Sequence, residues 1–261
     1  MLVILLASGS MDWAYLDAVP PFGLAHRGGR GPAPENTIAA FENAVSLGYR
    51  YLETDVHATA DGVLVAFHDD QLERVAGLPG GISDYEWSRL SEIRLDGEHP
   101  IPRLTELLER FPASRFNIDP KADGAVDLLI DVIREFDAVS RVCIGSFSEE
   151  RISRVREALG PELCTSPGPG GAIKVLLASL VYPRWRPPYG CLQIPAKAGI
   201  VSFGSAWLIN RFHGLGLQVH FWTINEAAEM ERLLNNGADA IITDEVETLK
   251  GVLERRGATV G

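Results

Sequence analysis

The chain has 261 residues, 46% hydrophobic and 23% charged, with a formal net charge of −11 at pH 7. This balance excludes a disordered or collagen-like chain, and the length suits one α/β barrel, which needs about 250 residues. No basic stripe offsets the acidic surplus, which excludes nucleic acid as a main partner. An acidic protein that handles anionic substrates needs a local positive device such as a metal ion.

In chain order, Met1 to Leu6 is apolar but short and lacks a basic start, so it reads as neither a secretory signal nor a membrane span. Met11 is an alternative start, and residues 1–21 form an N-terminal extension. Short β-rich runs follow at Phe22–Arg27, Tyr51–Val56, Arg115–Lys121, Val142–Ser146, Leu163–Ser166, Cys191–Pro195, Gln218–Thr223 and Ala240–Thr243. Helical patterns lie between them at Thr37–Leu47, Ala125–Phe136, Glu149–Leu159, Ala206–Leu215 and Ala227–Asn236. Asn36 is placed to cap the first helix, and Gly48, Gly160 and Gly237 to end helices. The alternation predicts an α/β fold, a closed parallel (β/α)8 TIM barrel, as a single domain over residues 1–261. The rival, a doubly wound sheet, calls for a glycine fingerprint that Gly28-Gly29-Arg30-Gly31 does not match.

One run breaks the rhythm. Val63–Phe67 follows Tyr51–Val56 after a short polar link, too short for a parallel crossover. Asp61-Gly62 signals a hairpin turn. Val63–Phe67 is therefore expected as an antiparallel return strand that brings His68 back opposite Asp55. Cys143, Cys164 and Cys191 make an odd set without zinc-ligand spacing. They read as buried free thiols, and a cytoplasmic enzyme is the expectation. The apolar stretch Ile173–Tyr182 is too short to cross a bilayer and reads as a barrel helix with its loop.

Side chains of a barrel strand alternate between the helices and the interior. Leu52 and Val56, then Phe116 and Ile118, supply the outward apolar set. That leaves Glu53 and Asp55, then Asn117, Asp119 and Lys121, facing in near the C-terminal strand ends, where barrel function sits. A solvated strand face is the plain alternative, but two neighbouring strands both place acids where a core belongs. Converging carboxylates repel by about 4 kcal/mol per pair at 4 Å and an effective dielectric of 20. A cation relieves that, and all-oxygen ligands favour Mg²⁺ or Ca²⁺. Glu53, Asp55 and Asp119 are thus the candidate ligands of one divalent cation. His26 ends the first strand and His68 the hairpin, a pair suited to acid and base work near neutral pH. Arg27 and Lys121 add positive charge suited to phosphate. Together these residues point to phosphoryl-group chemistry.

The ordered set His26-Arg27-Gly28, Pro34-Glu35-Asn36-Thr37, Glu53-Thr54-Asp55-Val56, Asp61-Gly62 and Phe67-His68-Asp69 resembles the glycerophosphodiester phosphodiesterase family. The resemblance continues through Ile101-Pro102-Arg103-Leu104, Asn117-Ile118-Asp119-Pro120-Lys121, Trp222-Thr223-Ile224-Asn225 and Ile242-Thr243-Asp244, so that it covers about residues 22 to 249. It implies a phospholipase-C-like barrel that cleaves glycerophosphodiesters, as small-molecule substrates, to sn-glycerol 3-phosphate and an alcohol. It further implies Glu53, Asp55 and Asp119 as holders of Mg²⁺ or Ca²⁺, and His26 and His68 as the acid/base pair. Arg27 and Lys121 would contact phosphate, Glu35 would support the metal site or orient the first-strand residues, and Trp222 would line the glycerol side. The family more often has Glu at the place of Asp119, one methylene longer. Related barrels act on lysophospholipids or sphingomyelin, and Ile173–Tyr182 with Pro183-Arg184-Trp185-Arg186-Pro187 would then form an apolar lip with basic flanks in peripheral contact with a membrane. A non-catalytic binding barrel is the third alternative.

Overall fold

The computed structural model describes residues 13–182, 184–199 and 201–261. The apolar Met1–Leu6, Met11 and Pro183 lie outside the described residues. Eight parallel strands form the centre: β1 (Phe22–His26), β2 (Tyr51–Ala58), β4 (Arg115–Pro120), β5 (Val142–Ile144), β6 (Cys164–Thr165), β7 (Cys191–Pro195), β8 (Gln218–Trp222) and β9 (Ala240–Thr243). They are paired in the order β6-β5-β4-β2-β1-β9-β8-β7. The remaining seam is bridged by Gly190 N–H donating to Thr165 O (3.1 Å) and Gln193 N–H donating to Ser166 Oγ (3.0 Å). The result is the nearly closed (β/α)8 TIM barrel that the alternation predicts.

A helix follows each barrel strand or its insertion: α1 (Ile38–Ser46), α2 (Leu104–Arg110), α3 (Gly124–Glu135), α4 (Glu149–Leu159), α5 (Pro169–Val181), α6 (Ala206–Gly214), α7 (Ala227–Asn235) and α8 (Val246–Arg255). Among the described residues, no helix is long and apolar enough to cross a membrane. The strand alternation divides the core in two. Leu52, Val56, Phe116 and Ile118 point outward and pack with helix residues such as Phe41, Leu129 and Leu249. Phe22, Leu24, Tyr51, Ala240 and Ile242 fill the interior with the three cysteines, all buried and free. Tyr15 is packed into this inner cluster with Trp13 and Leu16 beside it, so residues 13–16 plug the barrel rather than trail from it.

Strand β3 (Leu64–Ala66) lies antiparallel on β2, as the Asp61-Gly62 turn predicts. The register is one residue from the expected one. Val56 pairs with Ala66, and Phe67 N–H donates to Asp55 O at 3.0 Å, so Phe67 rather than His68 stands opposite Asp55. The cause is the turn, which closes on Thr59 N–H to Val63 O (2.9 Å) and fixes the pairing outward from there. A separate apolar cluster of Val65, Phe67, Leu72, Ile82, Leu90, Leu95 and Ile101 supports the hairpin and its insertion.

The cap of α1 also differs from expectation. Thr37, not Asn36, is the N-cap, its hydroxyl accepting from Ala40 N–H at 3.2 Å. Asn36 sits at φ 58°, and its side chain is turned to Thr54 and Asp55 instead. Replacing Thr37 by alanine is expected to lower stability by about 1 kcal/mol, read as a shift in the urea midpoint at unchanged slope.

Candidate active site

Strand β1 alternates Phe22 and Leu24 inward with Ala25 outward, which turns His26 into the barrel mouth. Directly after it the chain reverses: Arg27, Gly28 and Gly29 all have positive φ. At Gly29 a Cβ would stand 2.3 Å from Val246 Cγ1, so the turn that presents Arg27 needs glycine there. Eight of the nine predicted site residues line one cavity of about 270 Å³ at the mouth: His26, Arg27, Glu53, Asp55, His68, Asp119, Lys121 and Trp222. Glu35 stands behind it. It accepts from Arg27 Nη1 at 3.1 Å and from Arg74 Nη2 at 2.6 Å, so both of its contacts are to arginines.

The two histidines have the same construction. His26 Nδ1 lies 2.6 Å from Asp244 Oδ1, and His68 Nδ1 lies 2.7 Å from Asp69 Oδ1. A carboxylate only accepts, so each Nδ1 carries the proton and each Nε2 is left for other work. His26 Nε2 stands 3.8 Å from Glu53 Oε2. Burial pushes the His26 imidazole down, but the Glu53 charge and the Asp244 hydrogen bond outweigh it, and its pKa lies above the ordinary value. Asp69 is held down at about 2 by its hydrogen bond to Arg74. Arg74 links Asp69 to Glu35, and Glu35 links to Arg27, so one alternating chain of charges joins the two halves of the mouth.

Glu53 is buried and accepts Arg27 N–H at 3.0 Å. Burial, then the charge of Asp55, push its carboxyl up to about 7. Lys121 Nζ lies between Asp55 Oδ1 (2.7 Å) and Asp119 Oδ2 (2.9 Å). Burial lowers the Lys121 ammonium pKa, yet these two carboxylates raise it overall, while burial pushes Asp119 up. Arg27 Nε lies 3.1 Å from Asp55 Oδ2, although its N–H is not aimed at that oxygen and makes no hydrogen bond. A lysine thus holds the place between the aspartates that a cation would compete for. The donor chemistry suits a hard divalent cation, all oxygen and with Glu53 and Asp55 buried, but the three carboxylates are not drawn together within 4.8 Å of one another, and Lys121 stands between the two aspartates. A second group, Glu35, His68 and Asp69, brings its ligand atoms within 4.8 Å of one another, but both its carboxylates are engaged by Arg74.

Residues 26–248 match the family model described as the glycerophosphoryl diester phosphodiesterase family. The chain belongs to that family. It is 39% identical over 240 residues to "Probable glycerophosphodiester phosphodiesterase 2" of Mycobacterium tuberculosis, covering 90% of this chain and 91% of that protein. It is 30% identical over 251 residues to the glycerophosphodiester phosphodiesterase of Caldanaerobacter subterraneus, covering 90% of this chain and 98% of the other. Among solved structures, an Oleispira antarctica phosphodiesterase in complex with the product sn-glycerol-3-phosphate is similar with a TM-score of 0.73 and 23% identity, covering 90% of this chain and 97% of that one. The expected family, barrel and enzyme class are borne out.

Within this phosphodiesterase barrel, some partners carry no role in the sequence reading. Asp244 accepts from His26 and also from Asn225 Nδ2 (2.8 Å), and Asn225 Oδ1 in turn accepts Asp244 N–H (3.0 Å). The available signal is register: Leu24 pairs with Ile242, so two residues on, inward-facing His26 and Asp244 must meet. Asn36, diverted from capping, donates to Asp55 from 3.4 Å and accepts from Thr54 Oγ1 at 2.8 Å. Gln193 Nε2 donates to Asn117 Oδ1 at 3.1 Å across the cavity floor. Trp222 lines the cavity and meets exposed Phe147 edge to face, with ring centroids 5.8 Å apart.

Proposed function

We propose that the chain hydrolyses glycerophosphodiesters to sn-glycerol 3-phosphate and an alcohol, with divalent metal dependence and His26 and His68 as the acid/base pair. The observation that carries this reading is the pair of His–Asp dyads opening on one cavity beside three acids, an arginine and a lysine. Glu53, Asp55 and Asp119 would hold Mg²⁺ or Ca²⁺, which neutralises phosphate oxygens and acidifies a nearby hydroxyl when bound. Arg27, fixed by Glu35, and Lys121 would grip the phosphate, and Trp222 would face the glycerol.

In the reaction, the Nε2 of one histidine takes the proton of the glycerol 2-hydroxyl, and that oxygen attacks phosphorus. The other histidine gives its proton to the departing alcohol oxygen as the P–O bond breaks. Water then opens the cyclic phosphate with the two roles exchanged. A substrate lacking the 2-hydroxyl should turn over far more slowly, and equal rates would overturn the cyclic route.

The deciding assay is release of glycerol 3-phosphate from glycerophosphocholine with Mg²⁺, with Ca²⁺ and with EDTA, for wild type beside His26→Ala. Metal-dependent release that the variant loses is expected. No release with either metal would reject this substrate assignment.

A lysophospholipid substrate is the second reading, favoured by one feature. Helix α5 lends Ala172 to the cavity and then exposes Ile173, Leu177 and Val181 at 59%, 58% and 64%. Lysophosphatidylcholine vesicles cleaved faster than soluble glycerophosphocholine would select it. Contact with a membrane would then be peripheral, without insertion. We propose a cytoplasmic location with either substrate, as the odd set of free thiols leads one to expect.

A further inference from the structure

Cys143, Cys164 and Cys191 come from β5, β6 and β7, far apart in sequence, yet their Sγ atoms all lie within 4.8 Å of one another. Each stands two residues before a cavity-lining residue, namely Gly145, Ser166 and Gln193. With a strand period of two, the thiols form the inward layer about 7 Å beneath the cavity floor. From below they are closed in by Tyr15 and Trp13. Packing there is tight: a Cβ on Gly190 would meet Cys164 Sγ at 2.7 Å and the Trp13 ring at 3.0 Å.

Two further buried polar atoms beside this layer make no hydrogen bond. Tyr15, only 1% exposed, leaves its hydroxyl unpaired. His220, fully buried on β8, borders Cys191. Its Nε2 lies 3.2 Å from Gln218 Oε1, which accepts that N–H; the lone pair therefore sits on Nδ1, the atom left without a partner. Orphaned buried polar atoms are rare in folded proteins. Here two of them adjoin three convergent thiols.

We propose that this layer is a second cation site, separate from the acidic mouth, that takes a thiophilic ion of the Zn²⁺ type. Three thiolates and one imidazole are a common structural zinc set. The Cys143–Cys191 Sγ separation of 3.8 Å is close to the edge of a tetrahedron built on Zn–S bonds of about 2.3 Å. His220 borders Cys191 but is not among the ligand atoms that converge within 4.8 Å, so its ring would have to turn Nδ1 toward the sulfurs to serve as the fourth ligand, with Gln218 holding Nε2 from behind. Binding releases three protons, one from each thiol. The three thiolates leave the bound ion one negative charge in surplus, and the Tyr15 hydroxyl is the donor placed to meet it.

The test uses the full chain, unfolded under reducing conditions and refolded with Co²⁺ as a spectroscopic stand-in for Zn²⁺. The expected result is a thiolate-to-cobalt charge-transfer band saturating at one equivalent, bleached by Zn²⁺, and lost in Cys191→Ala. Carboxylates and imidazoles at the mouth cannot produce that sulfur band, so the outcome is independent of the phosphodiesterase assay. Folded wild type without the band overturns the proposal, as does an undiminished band in Cys191→Ala. If Cys191→Ala fails to fold, the wild-type spectrum alone decides.

Discussion

His26→Ala is expected to lower kcat by about 10²–10⁴-fold, the usual worth of a positioned acid or base, with the fold intact because the ring is borne by the mouth and not by the apolar core. Asp244→Asn should lower kcat less and should also move the pH profile. The His26 imidazole is raised above its ordinary pKa because Glu53 and Asp244 together outweigh burial. Glu53 loses its share once its carboxylate holds a cation, whereas Asp244 keeps its own. In the metal-loaded enzyme the limb of the profile due to His26 therefore shifts to lower pH in Asp244→Asn, whichever limb that is. Full pH–rate profiles of wild type and variant check this. An unmoved limb beside a reduced kcat would show that Asp244 only steadies the ring.

The barrel was legible because its two periodicities are clean. Leu52, Val56, Phe116 and Ile118 mark the helix-facing side, so the acids between them had to face inward, and they do. What the sequence left hidden depends on closure. Asp244 is 218 residues from His26, and the pair becomes visible only when the last strand is laid beside the first. Asn36 has the composition of a helix cap, but a left-handed backbone sends its amide to Thr54 and Asp55, leaving Thr37 to cap. Helix α2, seven residues long, is too short to show a period and is opened instead by Glu106 accepting Arg103 N–H at 2.8 Å. The thiol layer is the extreme case. Spacings of 21 and 27 residues follow no zinc pattern, and only the barrel brings the three sulfurs together.

Glu53→Gln should stabilise the metal-free protein while removing its metal-dependent activity. Burial and Asp55 raise the Glu53 carboxyl to about 7 in the folded chain, against about 4.3 for an unfolded glutamate. The folded state then binds the proton more tightly than the unfolded state does. The stability this contributes is complete below the unfolded pKa and is lost as pH rises through about 7. Metal-free wild type should thus weaken between roughly pH 4.5 and 8, by up to the order of 3 kcal/mol. Glutamine keeps the oxygen that accepts Arg27 N–H but has no proton to lose, so that decline should shrink in the variant. Thermal melts in EDTA across this range, beside melts in Mg²⁺ or Ca²⁺, separate the two effects. Wild type should regain its stability above pH 7 when the ion is present, because positive charge then takes over from the proton. The variant should respond much less to the ion, since one of its three candidate ligands is neutral. Parallel declines in the two proteins without metal would mean that Glu53 does not carry the cost of the acidic cluster, and would move that cost to Asp119, whose carboxyl burial also raises.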